Sequence, residues 1–428
     1  MAALTSRRRR SPRQTIAGSH QRLAGVDLAR GAALLAMMST HLLPTLAADP
    51  TLGGQITPTW VGLVLSGRAA ALFAVLAGVS LSLGRVPAAA NRPGLALRAG
   101  AIAVVGLSLG ALQVNIAVIL VQYAVLFWCV IPALGLGQKA LGLLTAAWLL
   151  IAPLATFEVR PWLLDAPEPL RLGHSPAWTD LMEPPKLLAD VFVTGAYPVL
   201  EWFGYILAGL WIGRLPLRRA GTAVALLVGG AATALLAKGA EWALMTQLGG
   251  HAALLATPQA KQWPLDAMLT ANLTGVDQTG SVWWLATAAP HSGTTLDLLH
   301  TCGTSAAALG AFLLVARIRP LEKTRILLPL AGTGAMTLTL YTAHVCAVAW
   351  SEAGNPPQLS REGLLAVHIV AALAVGLLFR ANGWRGPLEW ATHGAYRLGL
   401  IGQRSRPPGR GGGIGRGGVK RAEAGHPR

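Results

Sequence analysis

The sequence predicts an all-α protein, a polytopic integral membrane helix bundle of about ten transmembrane helices with both termini in the cytoplasm. Three observations carry that prediction. Only 12% of the 428 residues are charged, 53% are hydrophobic, and the mean hydropathy is +0.51. Soluble domains carry about 25% charged residues, and half that share over this length points to lipid as the solvent. Apolar runs long enough to cross a bilayer recur along the chain, and the loops between them alternate between basic and acid-bearing. Fifty glycines suit close helix packing in a membrane.

In order, residues 1–21 read as a basic, disordered cytoplasmic tail, with Arg7 to Arg10 and Arg13. The first span is placed at Leu23–Leu46, followed by a polar loop at Ala48–Thr59. The second, Trp60–Leu83, leads to Arg85, Arg92 and Arg98. Spans three and four, Leu95–Gln113 and Asn115–Leu134, share a tight turn at Gln113-Val114-Asn115. Lys139 precedes span five, Ala140–Phe157. A long loop, Glu158–Ala196, precedes span six, Tyr197–Ile212, which Arg214, Arg218 and Arg219 close. Span seven, Ala220–Leu236, is open to extension through Lys238 and Glu241. A second long loop, to Asp297, holds Trp263, Trp283, Trp284 and His291. Span eight is Leu298–Ala316, then come Arg317, Arg319, Lys323 and Arg325, and spans nine and ten are Ile326–Trp350 and Gly363–Phe379.

An N-in, C-in topology puts these basic loops in the cytoplasm and leaves Arg160, Arg171, Lys186, Lys261 and Arg361 outside, with Lys238 at the margin. Both long loops then face the extracytoplasmic side, where a binding surface is expected. The chain therefore divides into the tail 1–21, a membrane domain at 22–382, an interfacial amphipathic segment at 383–402 and a Gly/Arg-rich disordered tail at 403–428. The cell membrane is the expected location, with membrane lipid as a partner and a homo-oligomer left open.

The net charge of +17 does not point to nucleic acid, because much of it sits in the tails, where it suits anionic lipid. The glycines of the C-terminal tail follow no strand and make no dinucleotide fingerprint. Cys129, Cys302 and Cys346 lie in apolar segments and give no disulfide framework. No His, Asp or Glu cluster has metal-ligand spacing, so no metal is predicted.

Chemistry is expected on the first span. Val26-Asp27-Leu28-Ala29-Arg30 is followed by ten residues and then His41. Eleven residues of helix turn about 1,100° and rise about 16 Å, so Arg30 and His41 share one face about half a bilayer core apart, with Asp27 one turn before Arg30. Asp27 and Arg30 could equally flank the span as anchors. Arg68, without a local acid, needs a carboxylate, a carbonyl or a ligand, with Asp27, Glu201 or a helix end as structural partners. His291, in a loop with Ser292 and Thr294, and His344, in span nine, are candidates to line an acceptor site with His41. His344 can also be read as a packing histidine.

The Asp-x-x-Arg, ten residues, His pattern resembles the transmembrane acyltransferase superfamily, including acyltransferase-3 proteins and heparan-alpha-glucosaminide N-acetyltransferase. Ser66-Gly67-Arg68 through Val79-Ser80 resembles the second-helix signature of bacterial proteins with that catalytic domain. Pro290-His291-Ser292-Gly293-Thr294 and Gly386-Pro387-Leu388-Glu389-Trp390 are similar to their late regions. The resemblance implies transfer of an acyl group, acetyl by family, from cytoplasmic acyl-CoA to an extracytoplasmic glycan or glycolipid. It implies His41 as general base or acyl relay. Arg30 and Asp27 are the other catalytic candidates on that helix, Arg30 being suited to the anionic part of the donor or to pairing with Asp27, and Arg68 is a second candidate for the donor. The alternative is a transporter or flippase of a small or lipid-linked substrate, against which the absence of a clear internal repeat counts.

Overall fold

In the first predicted span the helix stops early. α1 (Ala24–Leu42) ends before Leu46, since the residue ahead of Pro44 disfavours helical backbone. The chain turns instead into an antiparallel hairpin, β1 (Leu46–Asp49) and β2 (Gln55–Pro58), with Leu46 opposite Pro58. The predicted polar loop is therefore partly sheet. The computed structural model describes residues 23–83, 88–112, 114–165, 172–354 and 359–404. The predicted tail at 1–21, most of that at 403–428, and Gln113, Arg85 and Arg171 lie outside these residues.

The second span is two helices, α2 (Trp60–Val64) and α3 (Arg68–Ser82), parted at Leu65–Gly67, where Gly67 adopts φ +69°. After α4 (Ala88–Gly110), residues 114–119 are non-helical and the fourth span is helical only as α5 (Leu120–Val130). This corrects the expected tight turn. Ile116, Val118 and Ile119 are buried, the condition under which irregular backbone is tolerated in a membrane.

α6 (Gln138–Leu164) runs past the predicted end at Phe157. Glu158 and Arg160, expected in the following loop, are thus helical, and buried Arg160 pairs with Glu201 at 3.4 Å. A charge satisfied across a helix boundary does not mark a loop. α7 (Pro184–Ala189) begins a segment that meets α8 (Val199–Ile212) at a 53° bend. α9 (Ala220–Trp242) extends through Lys238 and Glu241, which pair with each other.

The second long loop is no open loop. α10 (Gly250–Leu255), α11 (Gln259–Gln262) and α12 (Leu265–Ala271) fold around their own apolar core, which includes Leu254, Leu265, Met268, Leu273 and Trp284. α13 (Thr295–Val315) and α14 (Arg319–Thr324) follow. The ninth span is again two helices, α15 (Leu328–Ala335) and α16 (Thr337–Glu352), parted at Met336. α17 (Arg361–Ala381) and α18 (Pro387–Arg404) complete the chain.

Among the described residues, six helices are long and apolar enough to cross a membrane, and the bent pair ending in α8 makes a seventh. The other predicted spans, α1, α5 and α15–α16, fall short of that test. α1 falls short because it faces protein rather than lipid, so its surroundings do not require apolar residues on every side. It packs against α15, α3 and α13. At the α1–α15 crossing the backbones nearly touch. A Cβ on Gly31 would lie 2.3 Å from the Leu330 carbonyl oxygen, and one on Gly334 1.8 Å from that of Asp27. Only glycine permits that approach.

Candidate active site

Each end of α1 opens on a cavity. At its C-terminal end, His41 lines a cavity of about 160 Å³ together with Thr40, Thr45, Ser66, Asn115, Tyr197, Asn272 and His291. At its N-terminal end, Asp27 and Arg30 line a cavity of about 770 Å³ with Arg98, Arg218, Arg219, Arg385, Glu389 and His393. A third, of about 220 Å³, shares Arg30, Ser80, Arg98, Glu389 and Thr392 with the large one and continues inward between Phe73, Ile102, Tyr123, Phe127 and Tyr341. Met37 lines both this apolar cavity and the His41 cavity. Tyr341, which lines the apolar cavity, stands edge-on to the His41 ring at 6.2 Å.

The breaks in the spans explain these openings. Leu65, Ser66 and Gly67, between α2 and α3, face the His41 cavity, as do Asn115, Ile116 and Ala117 of the non-helical link. Ile119 of the same link and Ala335 and Thr337, on either side of the α15–α16 break, face the apolar cavity. Helix ends leave backbone groups unpaired and admit polar ligands.

His41 is held by a second imidazole. Its Nδ1 lies 3.1 Å from Nε2 of His344, and the two rings stack at 5.3 Å. His344 is buried, and its Nδ1 lies 2.6 Å from Nδ1 of His368 on α17. His344 was expected beside His41; His368 was not foreseen. The signal for it was present, since an ionisable residue within an apolar span is by default a functional candidate.

His291 reaches the His41 cavity from the loop before α13, in left-handed backbone at φ 64°. The loop is pinned on several sides. Leu273 N–H donates to Pro290 C=O at 2.9 Å, and Gly293 N–H donates to the Asp297 carboxylate at 3.1 Å. Thr294 caps α13 by accepting from Asp297 N–H. Glu201 fills the space beside Gly293, where a Cβ would lie 1.9 Å from Oε2. Burial, with the nearby Arg68 charge adding to it, pushes the His291 pKa down to about 4, so the ring is neutral at pH 7.

Arg30 pairs with Asp27 at 3.6 Å and donates to the Ser80 hydroxyl, so the two α1 residues are brought together as expected. Arg68 is not brought to them. It donates to the Leu63 carbonyl at 2.9 Å and to His300 at 3.3 Å, spanning the break between α2 and α3. Of its expected structural partners the helix end is the one it meets. It lines neither the basic nor the apolar cavity.

Arg98, Arg218 and Arg219 read in the sequence only as loop charge, and here they converge with Arg385 on one cavity. Glu389 gives the Gly386–Trp390 motif a physical role. It accepts from Leu338 N–H at 2.7 Å and Thr339 N–H at 3.2 Å, capping the helix that carries His344 and fastening α18 beside it. Among the described residues no His, Cys, Asp and Glu group has the geometry to hold a metal ion.

Fold and site together define a helical membrane protein with a polar, histidine-bearing site inside its bundle. Residues 22–246 match the family described as heparan-alpha-glucosaminide N-acetyltransferase, catalytic. The match covers more than half of the chain, and the chain belongs to that family, whose activity is of the membrane acetyltransferase type. It takes in Asp27, Arg30, His41 and Arg68 and stops before His291, His344 and His368. No curated protein matches the chain.

Proposed function

We propose that the protein takes an acetyl group from cytoplasmic acetyl-CoA and passes it to an extracytoplasmic glycan or glycolipid, with His41 as the general base. The observation that carries this reading is that the basic cavity at one end of α1 is continued inward from Arg30 and Arg98 by the apolar cavity, which meets the uncharged His41 cavity at Met37. The N-in, C-in reading of the loop charges would put the basic cavity on the cytoplasmic side, and the same charge pattern supports a cell-membrane location with both basic tails on anionic lipid.

The residues present fit the donor. Arginine forks match phosphate oxygens, and Arg30, Arg98, Arg218, Arg219 and Arg385 offer such forks for the nucleotide end of acetyl-CoA. The apolar cavity beyond them suits the slender thioester-bearing arm. At its far end a neutral imidazole on His41 can take the proton from an acceptor hydroxyl or amine as that atom attacks the thioester carbon. Thr40, Ser66, Asn115, Asn272 and His291 can hold the acceptor by hydrogen bonds. Direct transfer and passage through an acyl-His41 both suit this arrangement.

The test is His41→Ala in membrane vesicles given radiolabelled acetyl-CoA. Incorporation of label into the vesicle-borne acceptor should fall by roughly 10²- to 10⁴-fold, the usual range for a lost general base, with insertion and folding unchanged. Transfer at the wild-type rate would remove His41 from the mechanism.

A further inference from the structure

We propose that His344 and His368 form an imidazole relay that sets the tautomer of His41 and draws positive charge away from it during acyl transfer. The proposal rests on the reading of His41 as the base, and concerns two residues beyond the part of the chain that matches the family. The observation is the unbroken run of contacts from His41 Nδ1 to His344 Nε2 at 3.1 Å and from His344 Nδ1 to His368 Nδ1 at 2.6 Å.

Each neutral imidazole carries one N–H and one bare nitrogen, so two contacts in series allow two self-consistent proton patterns. In one, His368 donates to His344 and His344 donates to His41. His41 then carries its own proton on Nε2, the nitrogen turned away from His344, and cannot act as a base there. In the other, His41 Nδ1–H donates to His344 and His344 Nδ1–H donates to His368, which leaves His41 Nε2 bare. Only the second pattern makes His41 a base, and it requires an acceptor nitrogen at the end of the run. His368 Nδ1 is that acceptor.

The balance of the step follows. As the acceptor X–H attacks the thioester carbon, the X–C bond forms and the X–H proton moves to His41 Nε2. The His41 Nδ1 proton can pass to His344, and the His344 Nδ1 proton to His368, so the charge is shared along the run rather than confined to His41. When the C–S bond breaks, the proton returns along the same path and leaves His41 Nε2 for the thiolate sulfur. The products are acyl-X and the free thiol, and no further reactant is consumed. His344 and His368 are positioning residues, because they act through His41.

The deciding experiment is nitrogen NMR of histidine-labelled full-length protein in lipid nanodiscs, with His41 assigned by its loss in His41→Ala. The wild type should show His41 protonated at Nδ1 and bare at Nε2. His368→Phe, which removes the terminal acceptor but keeps a ring in its place, should move His41 toward the Nε2–H tautomer. It should also lower acetyl transfer roughly 10- to 100-fold at saturating acetyl-CoA, with little change in its KM and partial rescue by added imidazole. His368→Gln, which keeps an acceptor atom, should retain more activity than the phenylalanine variant. A wild-type His41 protonated at Nε2, or a tautomer unmoved by His368→Phe, overturns the relay. Loss of the base reading itself would show separately, as activity surviving in His41→Ala.

Discussion

The two ends of α1 are built on opposite principles. Around Arg30 the protein sets five arginines on a cavity of about 770 Å³, and around His41 it lines about 160 Å³ with hydroxyls, amides and imidazoles. Among the described lining residues the His41 cavity has no Asp, Glu, Lys or Arg. Charge is cheap where water can enter and expensive where it cannot, so the arginine end suits recognition by charge and the histidine end recognition by directed hydrogen bonds. On the proposed function, binding and chemistry divide along the same line. Changes at the arginine end should alter donor affinity and its salt dependence, whereas changes at the histidine end should alter turnover.

The largest effect should come from Gly293→Ala, which tests whether the histidine end is rigidly preformed. The added methyl would sit against the Glu201 carboxylate in backbone at φ +68°. Left-handed backbone costs a non-glycine residue roughly 1–2 kcal/mol, and overpacking about 1–3 kcal/mol more. A clear fall in melting temperature and in transfer, with acetyl-CoA affinity little changed in the surviving fraction, is expected. Wild-type stability in the variant would mean that the loop carrying His291 is not pinned, and the contrast between the ends would weaken.

Next in size is Arg98→Ala, read in inside-out vesicles with acetyl-CoA supplied from the outside. A hydrogen bond to a charged group is worth about 1.5–3 kcal/mol, so the KM for acetyl-CoA should rise roughly 10- to 100-fold. Turnover at saturation should hold. Added salt should raise the wild-type KM more steeply than that of the variant, since the wild type has more charge to screen. A fall in turnover at unchanged KM would take the donor away from the arginine end.

Much of the larger plan was legible, and the reasons are physical. Apolar runs and loop charge depend on the solvent around a segment, so every predicted span has a helical counterpart, and α9 extends through Lys238 and Glu241 as its pattern suggested. Interruptions were legible only in part: Asn115 marks a polar break, whereas Leu65, residues 116–119 and Met336 are as apolar as their neighbours, and only the fold decides where helix gives way to cavity wall. In the site, the Asp27–Arg30 pair could be read because its spacing is local. The meeting of His41 with His344 was an expectation of topology, whereas His368 and the convergence of Arg98 with Arg218, Arg219 and Arg385 depend on packing that no local pattern records. Arg68 shows the opposite limit. A lone arginine in a span signals need, but its carbonyl and His300 partners are visible only in three dimensions.

The smallest effect is also the one that separates the two ends by condition rather than by mutation. Burial and Arg68 push His291 down to about 4 in the folded protein, from an ordinary 6.5 in the unfolded chain. Between those values the unfolded chain binds more protons than the folded one. Stability should therefore rise with pH through that window, be fully present above about 6.5, and be lost progressively as pH falls toward 4. The melting temperature should drop on moving from pH 7 to pH 5, and His291→Asn should show a smaller drop over the same range. Acid should thus loosen the histidine end at constant salt, and salt should weaken the arginine end at constant pH. If His291→Asn kept the whole acid sensitivity, the titrating group would lie elsewhere, and the neutral imidazole facing His41 would lose its account.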